Sequence, residues 1–296
     1  MLIVGTSEHL EDLDREYTIG EDLFVTAVAV ALSGPPVFAL LDGERIARVD
    51  GLELAPVVGL GTADAQALAA DGATFIVGRA GAHLVTVDVA SGSIAELSSF
   101  DAVAGRDDWE NPAGPTPDLR SLAVTRDGTW LVNVHVGGVW RSTDRGATWS
   151  CVVPPEADVH EVVAGSDGVV AAAAAGGFGW SRDDGLTWEW TAEGLHAPYC
   201  RAAALDGEAA FVTASTGPST RDGRVYRARL GAAFEQCRAG LPESFPFNVD
   251  TGCLAAHGGQ VAFGTRDGHV FRSSDGGATF ALAAERMRPV QAVRFV

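Results

Sequence analysis

The decapeptide RSTDRGATWS at residues 141–150 recurs as WSRDDGLTWE at 180–189 and as RSSDGGATFA at 272–281. In register, the copies read Ser-x-Asp-x-Gly-x-Thr-aromatic: Ser142, Asp144, Gly146, Thr148 and Trp149; Ser181, Asp183, Gly185, Thr187 and Trp188; Ser273, Asp275, Gly277, Thr279 and Phe280. A worn fourth copy, YRARLGAAFEQ, places Phe234 in the aromatic position. Successive aromatics are 39, 46 and 46 residues apart (149 to 188, 188 to 234, 234 to 280). A period in this range marks a stacked or radial repeat of one supersecondary unit. With its hydroxyl, carboxylates and tryptophans the stretch resembles an active site, but one reaction needs one site. Three copies on three repeats are what a structural turn gives. A short carboxylate and a serine hydroxyl accept backbone N–H groups in reversals, and glycine takes the positive φ that other residues resist. Asp144, Asp183 and Asp275 are therefore read as structural.

Around each copy the pattern is constant. Apolar runs are broken by Gly/Asp turns, as in RSLAVTRDGTWLVNVHV and HEVVAGSDGVVAAAAA, and a short aromatic strand runs into the repeated turn. A further strand starts at the aromatic. Four short strands joined by tight turns every ~40–50 residues describe a β-propeller blade, and no segment carries a helical period. Extended along the chain, this template gives one all-β domain over residues 1–296, a seven-bladed β-propeller of four-stranded blades. Blades two to seven begin near Leu23, Ala65, Leu119, Val159, Cys200 and Thr251. The C-terminal PVQAVRFV supplies a lone innermost strand, and the N-terminal MLIVGTSEH a second strand without a first. The first blade is thus closed by both termini, which removes the free edge a ring would otherwise expose. Six blades is the nearest competing count.

The repeated turn resembles the Asp-box, or BNR repeat, of sialidase-like propellers. The resemblance runs residue by residue through the second half of the chain, and by period and strand pattern through the first. It implies that the boxes lie on the outer strand turn, on the face opposite the functional one. Sialidase activity in that family requires an arginine cluster, a tyrosine nucleophile paired with glutamate, and an acidic proton donor. The early RIP-type arginine motif is absent, and its closest string, MRPV, stands at the wrong end of the chain. Of three tyrosines only Tyr199, near Arg201, is well placed. A glycosidase reading reduces to one carboxylate pair, Glu161 and Asp250. Photosystem assembly factors also belong to the superfamily, but this sequence lacks their export signal and basic patch. A shared fold does not carry a shared reaction.

Of the 296 residues 47% are hydrophobic and 20% charged, ample for a core. The net charge is −18, and all 21 Lys+Arg positions are arginine. Such a surface repels phosphate backbones and anionic lipid, so neither nucleic acid nor membrane is an expected partner. No apolar run approaches the roughly 20 residues of a membrane span, and without lysine there is no Schiff-base chemistry on a lysine amine. The start, MLIVGTSEHLEDLD, shows no basic leader or cleavage site, which makes a cytoplasmic location the expectation. Cys151, Cys200, Cys237 and Cys253 stand singly and read as free thiols.

Two sets of loops share one face of such a ring: those linking blades, and those between second and third strands. Propeller ligands bind at the channel mouth on that face. The starts of the innermost strands ring this mouth with Gln66, Arg120, His160, Arg201, Asp250 and Gln291, with Glu161 beside His160. Six of seven histidines fall near the same face (His9, His83, His135, His160, His196 and His269), and only His257 falls on the other. Converging imidazoles bind zinc, copper or iron. His135 and His160, on neighbouring blades, lead that expectation and His9 joins them; no other cofactor is specified. Two insertions, residues 98–118 and 215–223, are candidate binding loops. Trp109, in the first, is either an exposed stacking platform or a plug on the rim. The acidic run at residues 8–22 reads as a solvated segment without EF-hand spacing.

The expectation is a propeller binding a small ligand or metal ion at its mouth. Its ligand-binding residues are Gln66, Trp109, Arg120, Arg201 and Gln291, and its catalytic candidates His160, Glu161 and Asp250. A protein-interaction scaffold and a glycosidase are the alternatives, so the partner is a small molecule or a protein.

Overall fold

Short apolar runs separated by tight turns pair most readily with their immediate neighbours, and here they build seven four-stranded antiparallel sheets. The computed structural model describes residues 1–31, 34–51, 53–112, 114–165, 168–285 and 287–296. Ser166 and Asp167, in one expected turn, and Ala113, in the first insertion, lie outside them. The innermost strands of blades two to seven are Val25–Ala31, Ala65–Asp71, Leu119–Val124, Val159–Ala164, Tyr199–Asp206 and Leu254–His257. Each packs against the next, and the circuit returns through Val290–Phe295 to the second blade, so the ring is closed. Seven blades, and their starts to within three residues, agree with the repeat.

The first blade is sewn from both termini: Val290–Phe295 innermost, then Leu2–Thr6, His9–Asp12 and Tyr17–Glu21. The acidic run is therefore corrected from a solvated segment to two outer strands. Asp12 within it is fully buried and accepts N–H bonds from Asp14 and Arg15. The first insertion holds a short α-helix, Ser98–Asp101, and a 3-10 turn, Arg106–Asp108, too short to show a period in the sequence.

The Ser-x-Asp-x-Gly-x-Thr turns join the third strand to the fourth in blades four, five and seven. Their bonding is the same three times. In blade five, Ser181 Oγ donates to Asp183 Oδ1 (2.7 Å) and accepts the Gly185 N–H (2.9 Å). Asp183 accepts the Thr187 N–H at 2.8 Å and its hydroxyl at 2.7 Å. Gly185 has φ +78°, and a Cβ there would lie 2.8 Å from Leu131 in blade four, so the turn also wedges against the preceding blade. The equivalent Phe234 of the worn copy is buried edge-on against Phe178.

A second device fixes the inner ring. Gly5, Gly78 and Gly264 end or nearly end second strands, and each stands against the first residue of the next blade's innermost strand: Val25, Leu119 and Val290. Beside that contact, in blades one to six, the innermost strand carries an extra residue between paired positions: Gln291, Thr26, Gln66, Arg120 and His160 singly, and Arg201 with Ala202. Such bulges re-aim a side chain away from the regular pleat. Five of the six residues expected to ring the mouth, Gln66, Arg120, His160, Arg201 and Gln291, stand at these bulges, and Asp250 does not.

Two outcomes test the turn. Ser181→Ala leaves the buried Gly185 N–H without its acceptor, and an orphaned donor costs about 1–3 kcal/mol. Thermal denaturation should show a melting temperature lower by several degrees; an unchanged curve would remove the hydroxyl from the fold's support. The hydrogen bonds of Thr148 hold the Asp144 carboxyl down to about 2. For Asp183, burial pulls upward but the Thr187 and Ser181 bonds prevail, again to about 2. Below the ordinary 3.8 the unfolded chain thus binds protons that these groups refuse when folded. Their contribution is complete above about pH 4 and is lost as pH falls toward 2. The Asp144→Asn/Asp183→Asn variant should be less stable at pH 7, with a flatter stability profile between those limits.

Candidate functional site

The mouth is built from three consecutive blades. His135 follows the second strand of blade four, Trp130–Val134, and its N–H is tied to the carbonyl of Asp118. Asp158 ends the link between blades four and five, where Pro154 and the 3-10 turn Pro155–Ala157 leave it left-handed at φ +47°. Its carbonyl accepts the Ala175 N–H and its own N–H donates to Pro155, so its backbone is held from both sides. His160 is the bulge residue of Val159–Ala164. A strand-two turn and a blade link therefore do share one face.

The three side chains meet. His135 Nε2 lies 3.4 Å from Asp158 Oδ1, His160 Nε2 lies 3.6 Å from Asp158 Oδ2, and the donor atoms all fall within 4.8 Å of one another. The His160 Nδ1 lies 2.5 Å from the Cys200 carbonyl oxygen and donates to it, which leaves Nε2 as the ring nitrogen facing Asp158. Burial, and then the charge of Arg120, lowers the His135 pKa to about 4, so its imidazole is neutral at neutral pH. The His160 imidazole, working against burial, holds the Asp158 carboxyl below its ordinary range, with help from His135 and Arg120.

Beside them, Tyr199 packs its ring 4.7 Å from that of His160, and the Arg201 guanidinium lies 5.4 Å over the tyrosine face. Arg201 makes one long contact to Asp250, 3.4 Å. Arg120 makes no hydrogen bond or ion pair among the described residues, although it is only partly exposed. Burial, and next the like charge of Arg201, pulls its pKa below the ordinary arginine value, while Asp118, Tyr199 and Asp250 work the other way. The carboxylate two residues before it, Asp118, is held by Gln66, which donates to it at 2.7 Å and accepts the Leu119 N–H at 3.0 Å. The buried atoms Arg120 Nη1, His135 Nδ1, Asp158 Oδ1, His160 Nε2 and Arg201 Nε all lack hydrogen-bond partners.

The remaining candidates separate. Gln66 positions Asp118, and Gln291 stands at the corresponding bulge of the closing strand. Asp250 is exposed on the rim beside Arg201. Glu161 is corrected from catalytic candidate to clamp: it is 2% exposed, and its two oxygens accept the Ala203 and Gly252 N–H groups of the next two blades. Burial raises its pKa to about 7 against the pull of Arg294. His9 is corrected out of the histidine cluster, since it pairs with Glu11 at 2.7 Å on the first blade. His83, His196 and His269 likewise face Asp101, Asp222 and Asp267.

Of the two readings of Trp109, the structure has the plug. It is 6% exposed, its ring centroid is 5.6 Å from Phe100 and 5.7 Å from Trp140, and Arg106 covers it at 4.9 Å. It offers no face to a ligand. Two contributors were missed by sequence reasoning: Asp158, and Thr251, whose hydroxyl donates to the His160 carbonyl at 3.0 Å. Asp158 could have been found only by its sequence position, two residues before His160.

A depression of about 480 Å³ lies farther out on blade six, lined in part by His196, Arg224 and Tyr226. Two of its polar pairs are matched, with Arg224 on Asp222 at 2.9 Å and His196 on the Tyr226 hydroxyl at 2.8 Å. The mouth instead gathers several buried polar atoms without hydrogen-bond partners, and it is the better candidate site.

No protein-family model matches the chain, and no curated protein matches it. Solved structures do. The GH74 xyloglucanase from Xanthomonas campestris is 18% identical with a TM-score of 0.60, over 94% of this chain and 46% of that one. The RRP9 WD40 repeats are 14% identical with a TM-score of 0.63, over 100% and 89%. YCF48, solved with a D1 peptide, is 12% identical with a TM-score of 0.54, over 95% and 84%. The chain spans about half the length of the GH74 enzyme. At these identities the likeness establishes the fold, a seven-bladed β-propeller. No helix among the described residues is long and apolar enough to cross a membrane.

Trp109→Ala should cost about 3–5 kcal/mol, the usual range for emptying a buried tryptophan site. Denaturant unfolding measures this, and a loss below 1 kcal/mol would return Trp109 to the surface.

Proposed function

We propose that this is an Asp-box propeller of the BNR type, a cytoplasmic single domain over residues 1–296, that binds a small oxyanion at the mouth of its channel. The observation that carries the reading is Arg120, half-buried, with its Nη1 buried and with no hydrogen bond or ion pair among the described residues. Uncompensated polar groups are costly inside a protein, and a carboxylate or phosphate seated between Arg120 and Arg201 supplies the missing acceptors. Guanidinium geometry favours planar, two-point recognition of such groups. The three repeated turns support the family reading, and four free thiols, three of them buried, support a reducing compartment.

Glycoside hydrolysis, the work of the GH74 neighbours, gains nothing from Glu161 and Asp250, because the Glu161 oxygens are taken by backbone amides. An interaction scaffold has one observation in its favour. Leu186 and Trp190 stand 56% and 41% exposed on blade five, and YCF48 is a propeller caught with a peptide.

The test is calorimetric titration of the full chain with inorganic phosphate, oxalate and citrate, beside Arg120→Gln. At least one anion should bind the native protein and bind the variant tenfold or more weakly, since a charge-assisted hydrogen bond contributes about 1.5–3 kcal/mol. Equal binding by both, or none by either, would overturn the oxyanion reading and leave the scaffold.

A further inference from the structure

We propose that His135, Asp158 and His160 bind one divalent transition-metal ion of the zinc class, and that the oxyanion at Arg120 and Arg201 completes its coordination. The inference rests on the mouth being the binding site, and deepens it.

His160 donates from Nδ1 to the Cys200 carbonyl, which leaves Nε2 as the ring nitrogen that faces Asp158 Oδ2, at 3.6 Å. The His160 side chain is 1% exposed, and its Nε2 is buried with no hydrogen-bond partner among the described residues. Asp158 Oδ1 beside it is buried and without a hydrogen-bond partner as well. Metal-ligating atoms from three residues thus meet in one buried spot with no partner in the fold.

The spacing fits. Nitrogen and oxygen ligands bind zinc at roughly 2.0–2.2 Å in tetrahedral geometry, which sets neighbouring donors about 3.3–3.5 Å apart. Asp158 Oδ1 lies 3.4 Å from the His135 imidazole and Oδ2 3.6 Å from that of His160, and the donor atoms of the three residues fall within 4.8 Å of one another, so a bound ion draws them slightly together. The carbonyl behind His160 is the outer partner that metal-bound histidines commonly have, fixing tautomer and ring angle. Two imidazoles and one carboxylate are three ligands, the number that leaves a coordination position open. Arg120 and Arg201 stand beside that position with unpartnered N–H groups. The net charge of −18 favours a divalent cation here over a second anion site.

The experiment is titration of the chelator-stripped full chain with zinc(II) alone, repeated with cobalt(II) to read the coordination spectrum. One equivalent should bind, with a spectrum of low coordination number. Asp158→Asn and His160→Gln should each weaken binding a hundredfold or more. Asp158 is 30% exposed at its side chain, so its variant retains the fold if His160→Gln does not. Arg120→Gln should keep the metal and lose the anion. No binding, or binding indifferent to Asp158→Asn and His135→Gln, overturns the metal site. Anion binding without zinc binding would leave the oxyanion reading standing alone; zinc binding without any anion would leave the metal and remove the oxyanion.

Discussion

In its own sheet, Val290–Phe295 has Leu2–Thr6 as its one neighbour, at the opposite end of the chain, with Ile3 opposite Arg294 and Val4 opposite Val293. The terminal ammonium reaches the Val296 carbonyl at 3.1 Å, and the Val296 N–H returns to Met1 at 2.9 Å. Without this pairing the ring would have two open strand edges, each a template for another chain. Closing so long a loop costs less than its length implies, because closure entropy grows only logarithmically. The closing strand is also hooked inward. Arg294 donates to the Gly252 carbonyl, the Gly252 N–H donates to Glu161, and the other Glu161 oxygen holds Ala203. Ring closure and the geometry of the mouth are thus one structure, joined through a carboxylate that never reaches the surface.

The mouth depends on a departure from regular pairing. A strand that alternates strictly would turn successive residues up and down the blade-to-blade interfaces. The extra residue near the start of six innermost strands breaks that alternation at one height around the channel. Gln66, Arg120, His160 and Arg201 occupy that height, while the residues flanking each bulge, such as Val159 and Leu119, remain in the core. The apolar packing that stabilises the ring and the polar groups that face the channel are therefore supplied by adjacent residues of the same strand.

Blade number and the closing blade were legible because the turn of Ser181, Asp183 and Thr187 recurs in blades four and seven and its period, with the strand pattern, runs on through the other blades. The site was legible in part. Strand starts located Arg120, His160 and Arg201, but which carboxylates meet them depends on link geometry that no period encodes. Asp158 is left-handed because of the Pro154-Pro155 turn before it, and Glu161 points into the ring because the bulge at His160 shifts it. Trp109 lies in an acidic, polar stretch, and Phe100 of the same insertion, Arg106 and the distant Trp140 cover it.

Charge gives the mouth its meaning. Acidic side chains outnumber basic ones 39 to 21, and many arginines find a carboxylate: Arg79 with Asp64, Arg182 with Glu208, Arg224 with Asp222, Arg288 with Glu8. Arg120 does not, although Asp118 is two residues away. Asp118 is held instead by Gln66, which takes it with one end of its amide and the Leu119 N–H with the other. Exposed ion pairs contribute little to stability, so leaving one unformed on the surface would mean nothing. A guanidinium without a carboxylate partner in a partly dry ring is different, because it retains the cost of burial and the attraction for an acceptor. Gln66 thereby fixes the carboxylate that stands two residues before Arg120.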